Sequence, residues 1–106
     1  MAAFIIGRID VTNPQQYAQY TAVTPEIIAS FGGRFVARNG QKETLEGPVE
    51  DRRLVILEFP DYASAKAFFD SSTYGQAKKL REGAAEAQFV LIDGYPPSDA
   101  DLAKVR

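Results

Sequence analysis

The chain has 106 residues, 45% hydrophobic and 25% charged, which is the size and make-up of a single globular domain. Its formal charge of −2 arises from interspersed signs and offers no electrostatic footprint for nucleic acid or an anionic membrane. With no Cys and no His, it cannot form disulfides, thiol nucleophiles, thiolate metal sites, imidazole bases or imidazole ligands to zinc or haem.

The opening "MAAFIIGRIDV" lacks a basic leader and meets Arg8 and Asp10 at once, so Ala3 to Val11 reads as a first strand and not as a signal peptide. In "DVTNPQQY", Asn13 suits a helix cap, Pro14 the first helical position and Gln16 the capping-box distance. Tyr17, Tyr20, Val23, Ile27 and Phe31 continue the helical spacing. Pro25 predicts a kink or a restart before "FGGR" ends the helix. Gly33 to Arg38 is a second strand with a bulge expected in "RNGQK", and Glu43 to Glu46 continues it toward the turn "EGPVED". Arg52 to Phe59 is the third strand. "PDYASAKAFFDS" opens a helix capped by Asp61, "SSTYGQAKKLREGAAE" forms a shorter one, and "AQFVLIDGY" is the fourth strand. Residues 1–95 form the domain, and 96–106 are a polar tail.

The order is β-α-β-β-α-β, an α+β, ferredoxin-like arrangement whose third strand lies between the first and second in a four-stranded antiparallel sheet. Along the strands, Phe4 and Ile6 oppose Ile5 and Ile9, Leu54 and Ile56 oppose Val55 and Leu57, and Val90 and Ile92 oppose Phe89 and Leu91. Both faces are therefore apolar, whereas the helices can cover only one. A second copy packed face to face about a two-fold axis would cover the other, so a homodimer is expected. No apolar run approaches the roughly 20 residues of a membrane span, and a cytoplasmic protein is expected.

The ordered set "GGRFVARNGQKETLEG" and "RRLVILEFPDYASAKAFFDSSTYGQAKKLREGAAEAQFVLIDG" resembles the family catalogued as domain of unknown function 1330, over most of the chain. The resemblance implies a dimeric α+β barrel. It carries over Arg34, Glu46, Arg53, Glu58, Tyr74 and Arg81 as family-like polar positions, and Phe69 stands where many members have Trp or Tyr. The wider superfamily includes cofactor-independent monooxygenases and isomerases, and a fold by itself does not choose among such activities.

Glu58, a carboxylate within "LVILEFP", is the candidate catalytic base or ligand acceptor at the mouth of a cleft, since apolar surroundings readily shift a carboxylate. Counting outward from the "EGPVED" turn sets Glu58 opposite Arg38 to Gly40, which makes Arg38 its expected ion-pair partner. Arg34, Arg38 and Arg81 can hold an anion through their guanidinium forks. Tyr20, Phe68 and Tyr74 are candidate pocket walls. The acids are not clustered for an oxygen-only metal site, and neither a metal nor a cofactor is expected. The expected function is to bind or convert a small anionic or aromatic metabolite in a cleft beside Glu58. The alternatives are a packed interaction module without catalysis and a cofactor-independent monooxygenase or isomerase.

Overall fold

In the computed structural model, which describes residues 1–95, the elements run β1 (Ala3–Val11), α1 (Pro14–Ser30), β2 (Arg34–Arg38), β3 (Arg53–Phe59), α2 (Tyr62–Asp70), α3 (Ser72–Lys79) and β4 (Ala85–Asp93). The expected polar tail at 96–106 lies outside the described residues. The strands form one antiparallel sheet in the order β2-β3-β1-β4, the ferredoxin-like arrangement. Among the described residues, no helix is long and apolar enough to cross a membrane.

Local chemistry sets the helix ends. Asn13 Oδ1 accepts the Gln16 backbone N–H at 3.1 Å, as an N-cap should. Gln16 does not complete a capping box. Its amide instead donates to the carbonyls of Leu80 and Glu82 at 3.2 and 2.8 Å, tying the start of α1 to the turn after α3. Helix α1 runs unbroken through Pro25, where a kink or restart was expected. Pro25 has no N–H for the Thr21 carbonyl four residues back, and Arg38 Nη2 approaches that carbonyl at a long 3.5 Å. The helix ends at Phe31 in a Schellman motif. Gly32, at φ +80°, donates to Ala29 O, and Gly33 donates to Ile28 O.

Asp61 caps α2 by accepting the Ser64 N–H at 2.7 Å, and hydrogen bonding from Ser64 lowers the pKa of its carboxyl. Ser71 closes α2 and opens α3. Its hydroxyl donates to Phe68 O at 2.8 Å and accepts from Tyr74 N at 3.1 Å, which turns Tyr74 inward.

The inner face of the sheet carries Ile5, Ile9, Val55, Leu57 and Phe59, packed on Tyr17, Tyr20, Ile28, Phe68 and Tyr74 from the helices. The outer face has no helix over it. There Phe4 pairs with Ile92 and Glu58, and Ile6 pairs with Val90 and Ile56.

The β2–β3 connection departs from expectation. Strand β2 ends at Arg38, no strand covers Glu43 to Glu46, and the bulge falls between Phe35 and Ala37, not in "RNGQK". Asn39, in the left-handed region at φ +51°, donates to Leu54 O at 2.8 Å and closes the pairing early, leaving 39–52 as a long loop. Glu58 therefore pairs with Arg34 and not with Arg38 to Gly40. At the loop's far end, Arg52 grips Glu50 with two hydrogen bonds of 2.8 Å, and Arg8 Nε lies 3.3 Å from the same carboxylate.

A methyl group added at Gly33 would sit 2.5 Å from the ring of Phe59, itself buried and fixed. Gly33→Ala is expected to destabilise by about 1–3 kcal/mol in urea melts. Hydrogen bonding from Arg52 holds Glu50 down to about 2. Because the folded-state pKa is depressed, this contribution is complete above the unfolded pKa and fades as pH falls from about 4.5 toward 2. Over that window, the stability gap between the wild type and Glu50→Gln should close.

Candidate functional site

Two β2 arginines four residues apart would normally share a face. The bulge prevents it. Phe35 faces Leu57 while Ala37 faces Ile56, so β2 spends an extra residue at Val36 and its parity flips. Arg34 consequently lies opposite Glu58 on the helix-free face, whereas Arg38 lies opposite Val55 on the inner face, with its guanidinium 4.4 Å from the centroid of the Phe35 ring.

Between the sheet and the helices is a small, partly open cavity of about 30 Å³. Tyr17, Tyr20 and Thr24 of α1, Arg38 and Arg53 from the strands, and Tyr74 of α3 supply its polar groups. Its apolar walls include Phe35, Phe68, Phe69 and Phe89, and none of the lining residues is acidic. Phe69 fits between Tyr74 and Phe89, with centroids at 5.1 and 5.8 Å. An open groove of about 460 Å³ adjoins the cavity and shares Tyr17, Thr21 and Arg53 with it, so Arg53 stands at the throat.

At the buried end, the Tyr20 and Tyr74 hydroxyls are 2.7 Å apart, with both residues almost wholly enclosed. Only one proton can lie between them, which leaves the other hydroxyl proton of the pair available to an acceptor. Burial, reinforced by Tyr74, pushes the Tyr20 pKa up. Burial also raises that of Tyr17 against the opposing charges of Arg53 and Arg81. Both phenols are neutral donors at physiological pH.

The cations around them are uncompensated. Among the described residues, the ion pairs are Arg8–Glu50, Arg34–Glu58, Arg52–Glu50 and Lys66–Asp70. Arg38, Arg53 and Arg81 take part in none. Arg53 lies 5.8 Å from the Tyr17 ring centroid, and Arg81 lies 5.2 and 5.5 Å from those of Tyr20 and Phe89. The Nε atoms of Arg53 and Arg81 are buried with no hydrogen-bond partner in the protein. Buried donors are normally satisfied, so these two are open to an acceptor from water or a ligand.

Of the site residues expected from sequence, the fold gathers Tyr20, Arg38, Phe68 and Tyr74 around one cavity, with Arg81 against Tyr20. Arg34 and Glu58 are elsewhere. They form an ion pair of 2.7 Å on the opposite face, with Arg34 71% exposed, so Glu58 is not at the mouth of this cleft. Arg53 was absent from the expected ligand set. Its signal was present, since it keeps alternate spacing with Val55, Leu57 and Phe59 and so belongs to the inward row of β3. Among the described residues, no cluster of three His, Cys, Asp or Glu side chains could hold a metal ion.

The family model described as Domain of unknown function (DUF1330) matches residues 2–95. No curated protein matches the chain. Solved structures give fold-level likenesses. One is the RPA0582 protein of unknown function from Rhodopseudomonas palustris, 19% identical with a TM-score of 0.70, covering 91% of this chain and 84% of the other. Another is SnoaB, a cofactor-independent oxygenase from Streptomyces nogalater, 13% identical at TM-score 0.65, covering 92% and 97%. A dimeric ferredoxin-like protein of unknown function from Jannaschia sp. CCS1 is also 13% identical at TM-score 0.65, covering 89% and 100%.

Tyr20→Phe strands the enclosed Tyr74 hydroxyl and should cost about 1–3 kcal/mol in urea melts. The Tyr20→Phe, Tyr74→Phe double variant should lose less than the sum of the single losses, because the second change removes the stranded group.

Proposed function

We propose that this chain, which belongs to the DUF1330 family, binds a small, flat organic anion in the cleft between sheet and helices, and does so as a homodimer. The carrying observation is the charge arrangement: two guanidiniums without a carboxylate, those of Arg38 and Arg53, line a tyrosine-rich, acid-free cavity, and a third, that of Arg81, lies against the ring of Tyr20 in its wall. Guanidiniums only donate, and the Tyr20–Tyr74 pair has one hydroxyl proton left to give, so the complementary ligand is rich in acceptor oxygens. The small cavity suits an anionic head of a few atoms, and the adjoining groove is of a size to take the body of the ligand. Arg53 at the throat meets the head, and Tyr20 and Tyr74 lie deeper.

The same arrangement favours holding an anion over abstracting a proton, because the cavity that takes the head has no carboxylate in its lining, and Asp10 and Asp51 lie out along the groove. The cofactor-independent oxygenase alternative draws on the likeness to SnoaB, which at 13% identity concerns fold alone.

Dimerisation follows from the outer face. Phe4, Ile6, Leu54 and Ile56 are only half-buried there, and Val90 and Ile92 are 42% and 52% exposed. A sheet face with water over it alternates apolar and polar residues, and this one does not. The dimeric Jannaschia protein of similar fold supports pairing.

Thermal-shift titration with benzoate, with benzamide as the neutral isostere, tests the ligand class. A hundredfold excess over the dissociation constant stabilises by about 2.7 kcal/mol, so benzoate should raise the melting temperature where benzamide does not. Arg53→Met should abolish the shift. Equal shifts with both compounds, or none across a panel of aromatic and aliphatic carboxylates, would reject the anion site. Light scattering at micromolar concentration should return twice the 11.6 kDa of the chain.

A further inference from the structure

Leu45 and Val49 are 87% and 80% exposed, more than any other large apolar residue among those described, the next being Tyr95 at 72%. Both lie on segment 39–52. Irregular connections of this length are uncommon in small domains and usually have work to do. The segment is built, not slack. Asn39 closes its base onto Leu54, the Glu50 N–H donates to Thr44 Oγ1 at 2.9 Å across the loop, and Gly47 takes φ +90°, a conformation that suits glycine. Internal bonds thus hold the loop in shape while its two aliphatic side chains are left in solvent.

The anchor indicates what should cover them. Glu50 is gripped by Arg52 and reaches Arg8, which sits on β1 in line with Phe4 and Ile6. The loop is therefore fastened to the helix-free face, the same face whose apolar residues lack a cover. In a two-fold pairing, any element at the edge of that face meets the other copy reciprocally. Paired sheets lie about 10 Å apart, a gap that a loop of this length can bridge.

We propose that segment 39–52 is a clasp that grips a second copy of this chain, with Leu45 and Val49 as its anchors and the Arg8–Glu50–Arg52 cluster as its fastening; this rests on the dimer reading above. Aliphatic anchors surrounded by charged residues such as Lys42, Glu43 and Glu46 have the make-up of an interface core with a polar rim. The clasp also has a bearing on ligand entry. Asn39, Asp51, Arg52 and Arg53, at and beside its base, line the groove leading to the cavity, so pairing would steady one wall of the entrance.

Sedimentation velocity over a dilution series tests the clasp, using the wild type and a variant carrying both Leu45→Ser and Val49→Ser. Neither side chain belongs to the core, so the variant should keep the wild-type circular dichroism. Its dimer dissociation constant should rise at least about tenfold, the factor expected for losing even a modest interface anchor. A second measurement uses the absence of cysteine from the chain. In Leu45→Cys, thiol labelling should be fast below the dissociation constant and slow above it. A wild-type dimer with an unchanged constant in the double variant, or labelling independent of concentration, would overturn the clasp while leaving the dimer intact. A wild type that stays monomeric at every concentration would overturn both.

Discussion

One extra residue in an edge strand organises the polar chemistry of this protein. The bulge at Val36 breaks the two-residue alternation of β2, so Arg34 and Arg38 project from opposite faces of the sheet although their spacing puts them in phase. Without the bulge, both arginines would compete for one face. With it, Arg34 neutralises Glu58 on the outer surface, and Arg38 joins the inner cleft. The bulge also sets the register, which with the early closure at Asn39 leaves 39–52 free as a loop.

The two faces then differ in electrostatic character. Outside, each carboxylate that meets an arginine is part of a pair, Glu58 with Arg34 and Glu50 with Arg8 and Arg52. Inside, Arg38, Arg53 and Arg81 meet aromatic rings and phenols. Cation–π contact moderates the cost of holding a guanidinium there, but it leaves the Nε–H groups of Arg53 and Arg81 without acceptors in the protein. Two buried orphan Nε atoms and a surplus hydroxyl proton amount to a standing demand for oxygen acceptors. A domain this small has little stability to spare for unmet polar groups, and the proposed anion is what would meet this demand.

The helices serve that site more than they decorate it. Ser71 joins α2 to α3 and turns Tyr74 onto Tyr20, and the Gln16 amide fastens the start of α1 to the turn that carries Arg81. Packing of Phe59 and Phe68, with centroids 5.2 Å apart, closes one end of the layer. The long loop works outward instead, from the groove at its base to two aliphatic residues at its exposed reach.

The sequence by itself determined the element order, the helix caps at Asn13 and Asp61, the glycine stop after Phe31 and the apolar character of both sheet faces. Those features depend on residues near one another in the chain, where propensity, capping and alternation act directly. Glu58 shows where this reading ends. Its partner, its face and its distance from the tyrosines depend on a one-residue bulge and on where the β2–β3 pairing closes, and neither is encoded by periodicity. Arg53 was legible as an inward-phased residue of β3, yet its place beside the Tyr17 ring depends on how α1 packs on the sheet. Of the kink or restart that Pro25 predicted, the restart does not occur, because the packing of Tyr20, Thr24 and Ile28 on either side of it holds α1 together as one helix. Tertiary structure alone decided which charges were paired and which were left to face a cavity, because that depends on elements far apart in the chain being brought into register.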